Sequence, residues 1–311
     1  MSWRDVIDGY ELLDDPAADG ASVASWLREQ SLDDVTVTRV EGERGGTDFV
    51  RAVVPGSRGR SAGGDAPTLG LVGRLGGLGA RPERIGFVSD GDGALTVLAA
   101  AAKLGRMRAR GDILPGDVVV ATHVCPDAPT RPHDPVPFMD SPVDIATMNS
   151  HEVDDDMAAV LTVDTTKGNR ICNHNGFAIT PTVREGWVLR VSDDLLDIAT
   201  RVTGRAPVVL PVTTQDITPY GNGVYHVNSL LQPATATSAP VVGVAITTEA
   251  AVPGSGTGAT DLASVESAVR FCIETAKDLG AGDCRFHDPD EFARLVALYG
   301  EMRHLQGAAT S

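Results

Sequence analysis

The spacing of apolar residues changes character near Thr68. Before it, Val6, Tyr10 and Leu13, then Val23, Trp26 and Leu27, recur at helical intervals between about Trp3 and Gln30. Asp15-Pro16 interrupts them, because proline ends or kinks a helix. Val35-Thr36-Val37-Thr38-Arg39-Val40 alternates and is β-branched, and a Gly45-Gly46 turn leads to a second such run, Asp48 to Val54. Gly, Ser and Arg between Gly56 and Pro67 predict a loop. Beyond Thr68 the apolar runs are short and continuous: Leu69 to Val72, Ile85 to Val88, Val118 to Ala121, Ala158 to Val163 and Val241 to Thr247. Such runs suit strands buried on both faces. Helices are predicted from about Ala94 to Arg108 and from about Asp261 to Leu279, the latter with Asp261 as N-cap and Gly280 at its stop. The alternation predicts an α/β fold: a mostly parallel mixed sheet with helices on both faces. A single domain over residues 1–311 is expected, with residues 1–67 (helix and hairpin) part of the same core.

Charge narrows the partners. The 311 residues carry a formal net charge of −16, which opposes binding to a phosphate backbone. No apolar run approaches the roughly 20 residues that span a bilayer. The four cysteines, Cys125, Cys172, Cys272 and Cys284, are scattered and form no Cys-x-x-Cys pair, as suits a reducing compartment. The opening Met1-Ser2-Trp3-Arg4-Asp5 runs into an amphipathic segment rather than an apolar leader. A cytoplasmic homo-oligomer acting on a small molecule is expected, with no nucleic-acid or membrane partner.

Ligands of open α/β sheets bind beyond the carboxyl ends of the strands. Here those ends are polar. Val88 leads to Asp90 and Asp92, and Val120 to Thr122, His123 and Cys125. Val163 leads to Asp164, Thr165, Thr166 and Lys167, and Ile246 to Glu249. Carboxylates and an imidazole on one rim are what a metal or acid–base site requires. Each alone has a plainer reading: Asp92 as a helix cap, Cys125 as a buried structural thiol, Lys167 in a turn salt bridge, His226 as a satisfied loop histidine beside Tyr220 to Tyr225. Gly73 to Pro82 is a glycine-rich turn in which Arg74 and Arg81 are candidates for binding a substrate carboxylate. The Gly254 to Thr260 loop, ahead of the last helix, is a candidate anion site or lid.

Ser89-Asp90-Gly91-Asp92-Gly93-Ala94, opening an alanine-rich helix, resembles the Asp-Asp-x-x-Gly or Asp-Asn-x-Ser-Gly segment of the co-catalytic zinc aminopeptidases. Leu161-Thr162-Val163-Asp164 is similar to that family's next carboxylate ligand at a strand end, and Pro240 to Thr247 to the strand leading to its last metal histidine. The resemblance implies a zinc-aminopeptidase-like (phosphorylase/hydrolase-like) core, with Asp90 in the metal-bridging position. Departures are clear. The family has His-x-Asp where this chain has Gly73-Arg74-Leu75, and Arg74 stays protonated and cannot ligate. Thr122-His123-Val124-Cys125 stands where the family has Glu-Glu, and a residue near Glu249 replaces its final histidine. Taken whole, the chain also resembles a bacterial domain-of-unknown-function family of about its own length. Gly73 to Pro82, Val88 to Gly93, Asp164 to Arg170 and Ala178 to Thr182 carry that similarity.

These readings lead to a hydrolase-like enzyme acting on a small amide or peptide-like metabolite. Asp90, Asp92, His123, Asp164 and Glu249 are expected to hold one divalent metal, zinc or manganese. Glu249, His123 and Lys167 are the expected catalytic groups, and Arg74, Arg81 and His226 the substrate-binding ones. Two alternatives stay open: a small-molecule binding protein that has lost catalysis, and a metal-independent lyase or isomerase.

Overall fold

The computed structural model describes residues 2–43, 45–74 and 76–307. The N-terminal helical pattern splits, as the proline requires, into α1 (Trp3–Asp14) and α2 (Gly20–Glu29), and the alternating runs form the hairpin β1 (Val35–Gly42) and β2 (Gly45–Val54). There follow β3 (Leu69–Gly73), α3 (Asp92–Ala109), β4 (Val118–Val124), the two-residue strands β5 (Thr130–Arg131) and β6 (Phe138–Met139), and α4 (Ile145–Glu152). Next are β7 (Ala159–Thr165), β8 (Gly176–Ile179), β9 (Val183–Arg184), β10 (Trp187–Val188) and α5 (Asp193–Thr203). The chain continues through β11 (Val241–Thr247), α6 (Leu262–Ala281) and α7 (Pro289–Tyr299).

Among the described residues nine strands form one mixed sheet in the order β1-β2-β4-β3-β7-β11-β9-β10, with β8 also on β11. Its centre, β4-β3-β7-β11, is parallel, and antiparallel strands flank it on both sides. The hairpin extends the sheet through β2 on β4, so residues 35–54 are continuous with the core. Apolar residues divide by parity. Leu71, Val120, Leu161, Val163 and Val244 face a layer built from α1, α2, α3, α5 and α6. Val72, Val119, Val160 and Val241 face the other way, into a smaller cluster with Ile217, Leu231 and Ala234. That second face is covered by α4 and by 3-10 turns at Thr214–Ile217 and Gln232–Thr235. Among the described residues no helix is long and apolar enough to cross a membrane.

Register decides what reaches the carboxyl edge. Gly73 pairs with both Thr122 and Val163, so Arg74, His123 and Asp164 arrive level with one another. The start of α3 presses directly on these strand ends. A Cβ on Gly93 would lie 2.5 Å from the Val163 carbonyl oxygen and 2.7 Å from that of Arg74, so only glycine fits there.

Two expectations are corrected. Ile85 to Val88 is not a strand: Gly86 takes φ +109° and Ile85 is exposed, leaving only an isolated bridge from Val88 to Thr257. Asp90 therefore stands in a 3-10 turn, Ser89–Gly91, rather than at a strand end. The last predicted helix, α6, is capped by Asp261 as expected but runs past Gly280 and stops at Gly282, whose φ of +86° is the left-handed cap.

Candidate functional site

A cleft of about 1960 Å³ opens at the carboxyl edge of the parallel strands. Its walls are drawn from α4 and the loop before it, the strand-end residues 164–170, the segment around residues 219–236 and the tip of the β1–β2 hairpin. Asp90, Asp164, Lys167 and Ser229 line it.

Asp164 is fully buried at the end of β7, on the α4 side of the sheet. Its Oδ1 accepts from the Thr165 amide at 2.7 Å and its Oδ2 from Ser229 Oγ at 3.0 Å. Burial, with help from nearby Asp90, pushes its carboxyl up to about 7, against the opposing pull of Arg74 and these hydrogen bonds. Asp90 reaches the same region from the turn ahead of α3. Its Oδ2 accepts from the Met139 amide at 3.0 Å, and burial raises it to about 6 against the pull of that bond and of Lys167. The Gly254 strap lies across it: the Gly254 carbonyl accepts from the Asp90 amide at 3.1 Å, and a Cβ on Gly254 would sit 2.1 Å from Asp90 Oδ2. The glycine loop is therefore a packed cover over Asp90.

Asp92 lies deeper, fully buried. Thr260 Oγ1 donates to its Oδ1 at 2.7 Å, while Oδ2 has no hydrogen-bond partner among the described residues and faces Lys167 Nζ at 3.6 Å. Burial raises Asp92 to about 6, opposed chiefly by Lys167. Asp90 and Asp92 thus both feel the ammonium of Lys167, whose side chain is itself nearly enclosed, while Asp164 adjoins Asp90.

Arg74 and His123 belong to a neighbouring network. The Gly76 amide donates to His123 Nε2 at 3.1 Å, so the ring proton sits on Nδ1 and is donated to Glu152 Oε1 at 2.7 Å. The other oxygen of Glu152 takes the Arg74 guanidinium, and both of these side chains are fully buried. Asn149 Oδ1 accepts from Arg74 at 3.4 Å, and its Nδ2 donates to the Gln232 carbonyl at 3.0 Å. Gln232 in turn holds the backbone at Tyr220 and Thr218. The network ties the ends of β3 and β4 to α4 and to the 218–235 segment, two walls of the cleft.

The structure brings Asp90, Asp92, Asp164 and Lys167 together but does not gather the five expected metal ligands. Both nitrogens of His123 are engaged elsewhere, and Glu249 stands exposed at the cleft margin, where Asn175 Nδ2 donates to it at 3.4 Å. Among the described residues no group of three or more His, Cys, Asp or Glu side chains is arranged to hold an ion. The residues present therefore do not fit the expected divalent metal. Two of the three expected substrate contacts are internal ties: Arg74 to Glu152, and Arg81, whose guanidinium donates to the carbonyls of Asp14 at 2.7 Å and Pro126 at 3.2 Å. His226 is buried against the Val224 and Thr218 carbonyls, although Tyr225 and Val227 on either side of it line the cleft. Cys125 is packed with Ala80, Val88 and Met139, and burial pushes its thiol up to about 11. Leu75, inside the glycine-rich turn, lies outside the described residues.

Sequence reasoning missed Glu152, Asn149, Ser229 and Gln232. The signal available for Glu152 was the pairing rule itself: a buried Arg74 and a histidine at strand ends require a carboxylate partner.

The sequence matches, over residues 38–309, the family described as "Protein of unknown function (DUF1177)". None of the curated proteins matches it in sequence. Among solved structures, a mutant of tomato leucine aminopeptidase is similar with a TM-score of 0.48 and 14% identity, over 87% of this chain and 61% of that one. The chain thus spans about three-fifths of the length of that aminopeptidase.

Proposed function

The chain belongs to the DUF1177 family, and from the site itself we propose that it is a hydrolase-like enzyme acting on a small amide or peptide-like metabolite. One observation carries the reading: Asp90 and Asp164, from separate segments, meet in one cleft that Lys167 also lines, its charge acting on Asp90. Carboxyls that hold a proton near neutrality exchange it readily with a reacting group, as general acid–base catalysis requires. The Lys167 ammonium, anchored by Asp92, supplies positive charge for an oxyanion developing on an amide carbonyl. The cleft exceeds the roughly 300–1,000 Å³ common for drug-sized ligands, which favours a peptide-like substrate over a single small acid.

A panel of dipeptides, N-acyl amino acids and simple amides, followed by mass spectrometry, tests the reading. Turnover is expected in the wild type and a loss of about 10²-fold or more in Asp164→Asn and Asp90→Asn, with folding retained. A chelator is expected to leave the activity unchanged. Absence of turnover across the panel would sink the proposal. The binding-protein reading has one observation in its favour: Arg74, tied internally to Glu152, stands where the family it resembles has a catalytic metal ligand. Ligand-induced thermal stabilisation without turnover would select it.

A further inference from the structure

Ser229 lines the cleft, and its hydroxyl donates to Asp164 Oδ2 at 3.0 Å. Its position is fixed on both sides. Asn228, the preceding residue, donates through Nδ2 to Thr166 Oγ1 and accepts through Oδ1 from the Leu230 amide at 2.9 Å. The Ser229 carbonyl accepts from the Gln232 amide at 3.0 Å. The carboxylate is oriented too, because its second oxygen is held by the Thr165 amide at 2.7 Å. A hydroxyl bonded to a base that a third group orients is the arrangement an activated nucleophile needs.

We propose that Ser229 is the nucleophile of this site, with Asp164 as its base, and that hydrolysis passes through an acyl-serine ester. The inference rests on the hydrolase reading above and deepens it. In the first half, Ser229 Oγ forms a bond to the amide carbonyl carbon, its proton moves to Asp164 Oδ2, and the carbonyl π pair moves onto oxygen. The tetrahedral species collapses, the C–N bond breaks, and the amine leaves with the proton returned by Asp164. In the second half, water attacks the ester carbon and gives a proton to Asp164. The ester C–O bond breaks, and Ser229 Oγ recovers the proton. Amide and water become acid and amine, with no oxidant or reductant. Asp164 suits both directions of transfer because its Oδ2 holds the Ser229 hydroxyl while its Oδ1 is fixed by the Thr165 amide. A serine placed only to satisfy a buried carboxylate would form the same bond but would have no enhanced reactivity.

Diisopropyl fluorophosphate with the full-length wild-type chain tests this directly. One covalent adduct is expected by intact mass, mapped to Ser229. It should be absent in Ser229→Ala and slowed by about 10²-fold or more in Asp164→Asn. Ser229→Cys guards against misfolding of the alanine variant and should exchange fluorophosphate labelling for rapid alkylation by iodoacetamide. No adduct on the wild type, or an adduct at another residue, overturns the proposal. Folded Ser229→Ala that still hydrolyses an amide at the wild-type rate also overturns it while leaving the hydrolase reading intact. Labelling at Ser229 with no amide turned over supports the activated serine and removes the hydrolase reading.

Discussion

Glu152 satisfies two buried partners at once, the imidazole of His123 and the guanidinium of Arg74. Glu152→Ala would strand a fully buried cation, whose desolvation nothing then offsets. A loss of about 3–5 kcal/mol is expected. Replacing Arg74 and Glu152 together by Met and Leu should cost much less, because no unpaired charge remains; urea unfolding of the single and double variants measures both. A double variant as unstable as the single would show that packing, not pairing, is what the site requires. The contrast with Asp164 shows what was legible in the sequence. Asp164 and Lys167 follow a strong apolar run, so their place at a strand end is readable. Asn149 and Glu152 sit in Asn149-Ser150-His151-Glu152, a polar stretch that reads as surface. Only the packing of α4 beside β4 brings them into the interior, and no local pattern encodes that. Ser229, in an irregular loop, carries no periodic signal either.

At the level of elements, the parallel strands were readable because burial on both faces demands continuous apolar runs, and β3, β4, β7 and β11 have them. Ile85 to Val88 has the same composition and fails as a strand, since Gly86 in the left-handed region breaks the extended conformation. β5, β6, β9 and β10 are two residues each, too short to display alternation. What composition hides entirely is the close approach of α3 to the strand ends, which sets where Asp90 and Asp92 emerge. Gly93→Ala tests it. The added methyl meets two backbone carbonyl oxygens rather than a flexible side chain, so α3 must lift from the sheet. A destabilisation of about 1–3 kcal/mol is expected, although alanine is the better helix former. A rise in melting temperature would mean that the helix start has room to move.

For the whole molecule, the cluster at the cleft imposes a pH dependence whose sign follows from proton linkage. Asp90 and Asp92 are raised to about 6 and Asp164 to about 7, against an ordinary value of 3.8. Between these limits the folded chain holds protons that the unfolded chain has released. Unfolding then sheds protons, and stability falls as pH rises. The stabilisation is fully present below about pH 4, declines steadily from there up to about pH 6 for Asp90 and Asp92 and about pH 7 for Asp164, and is gone above. Self-repulsion in a chain of net charge −16 acts in the same direction, because protonating carboxylates relieves it. The contribution of the cluster can be isolated with Asp90→Asn and Asp164→Asn combined, which removes two of the titrating carboxyls while leaving the surface charge in place. Wild-type urea midpoints are expected to be higher at about pH 5 than at about pH 7.5, with the double variant showing a shallower slope between the two. Equal slopes would assign the dependence to the surface. The variant should also gain most, relative to wild type, on the alkaline side, because there the native carboxylates have ionised inside a site that solvates them poorly.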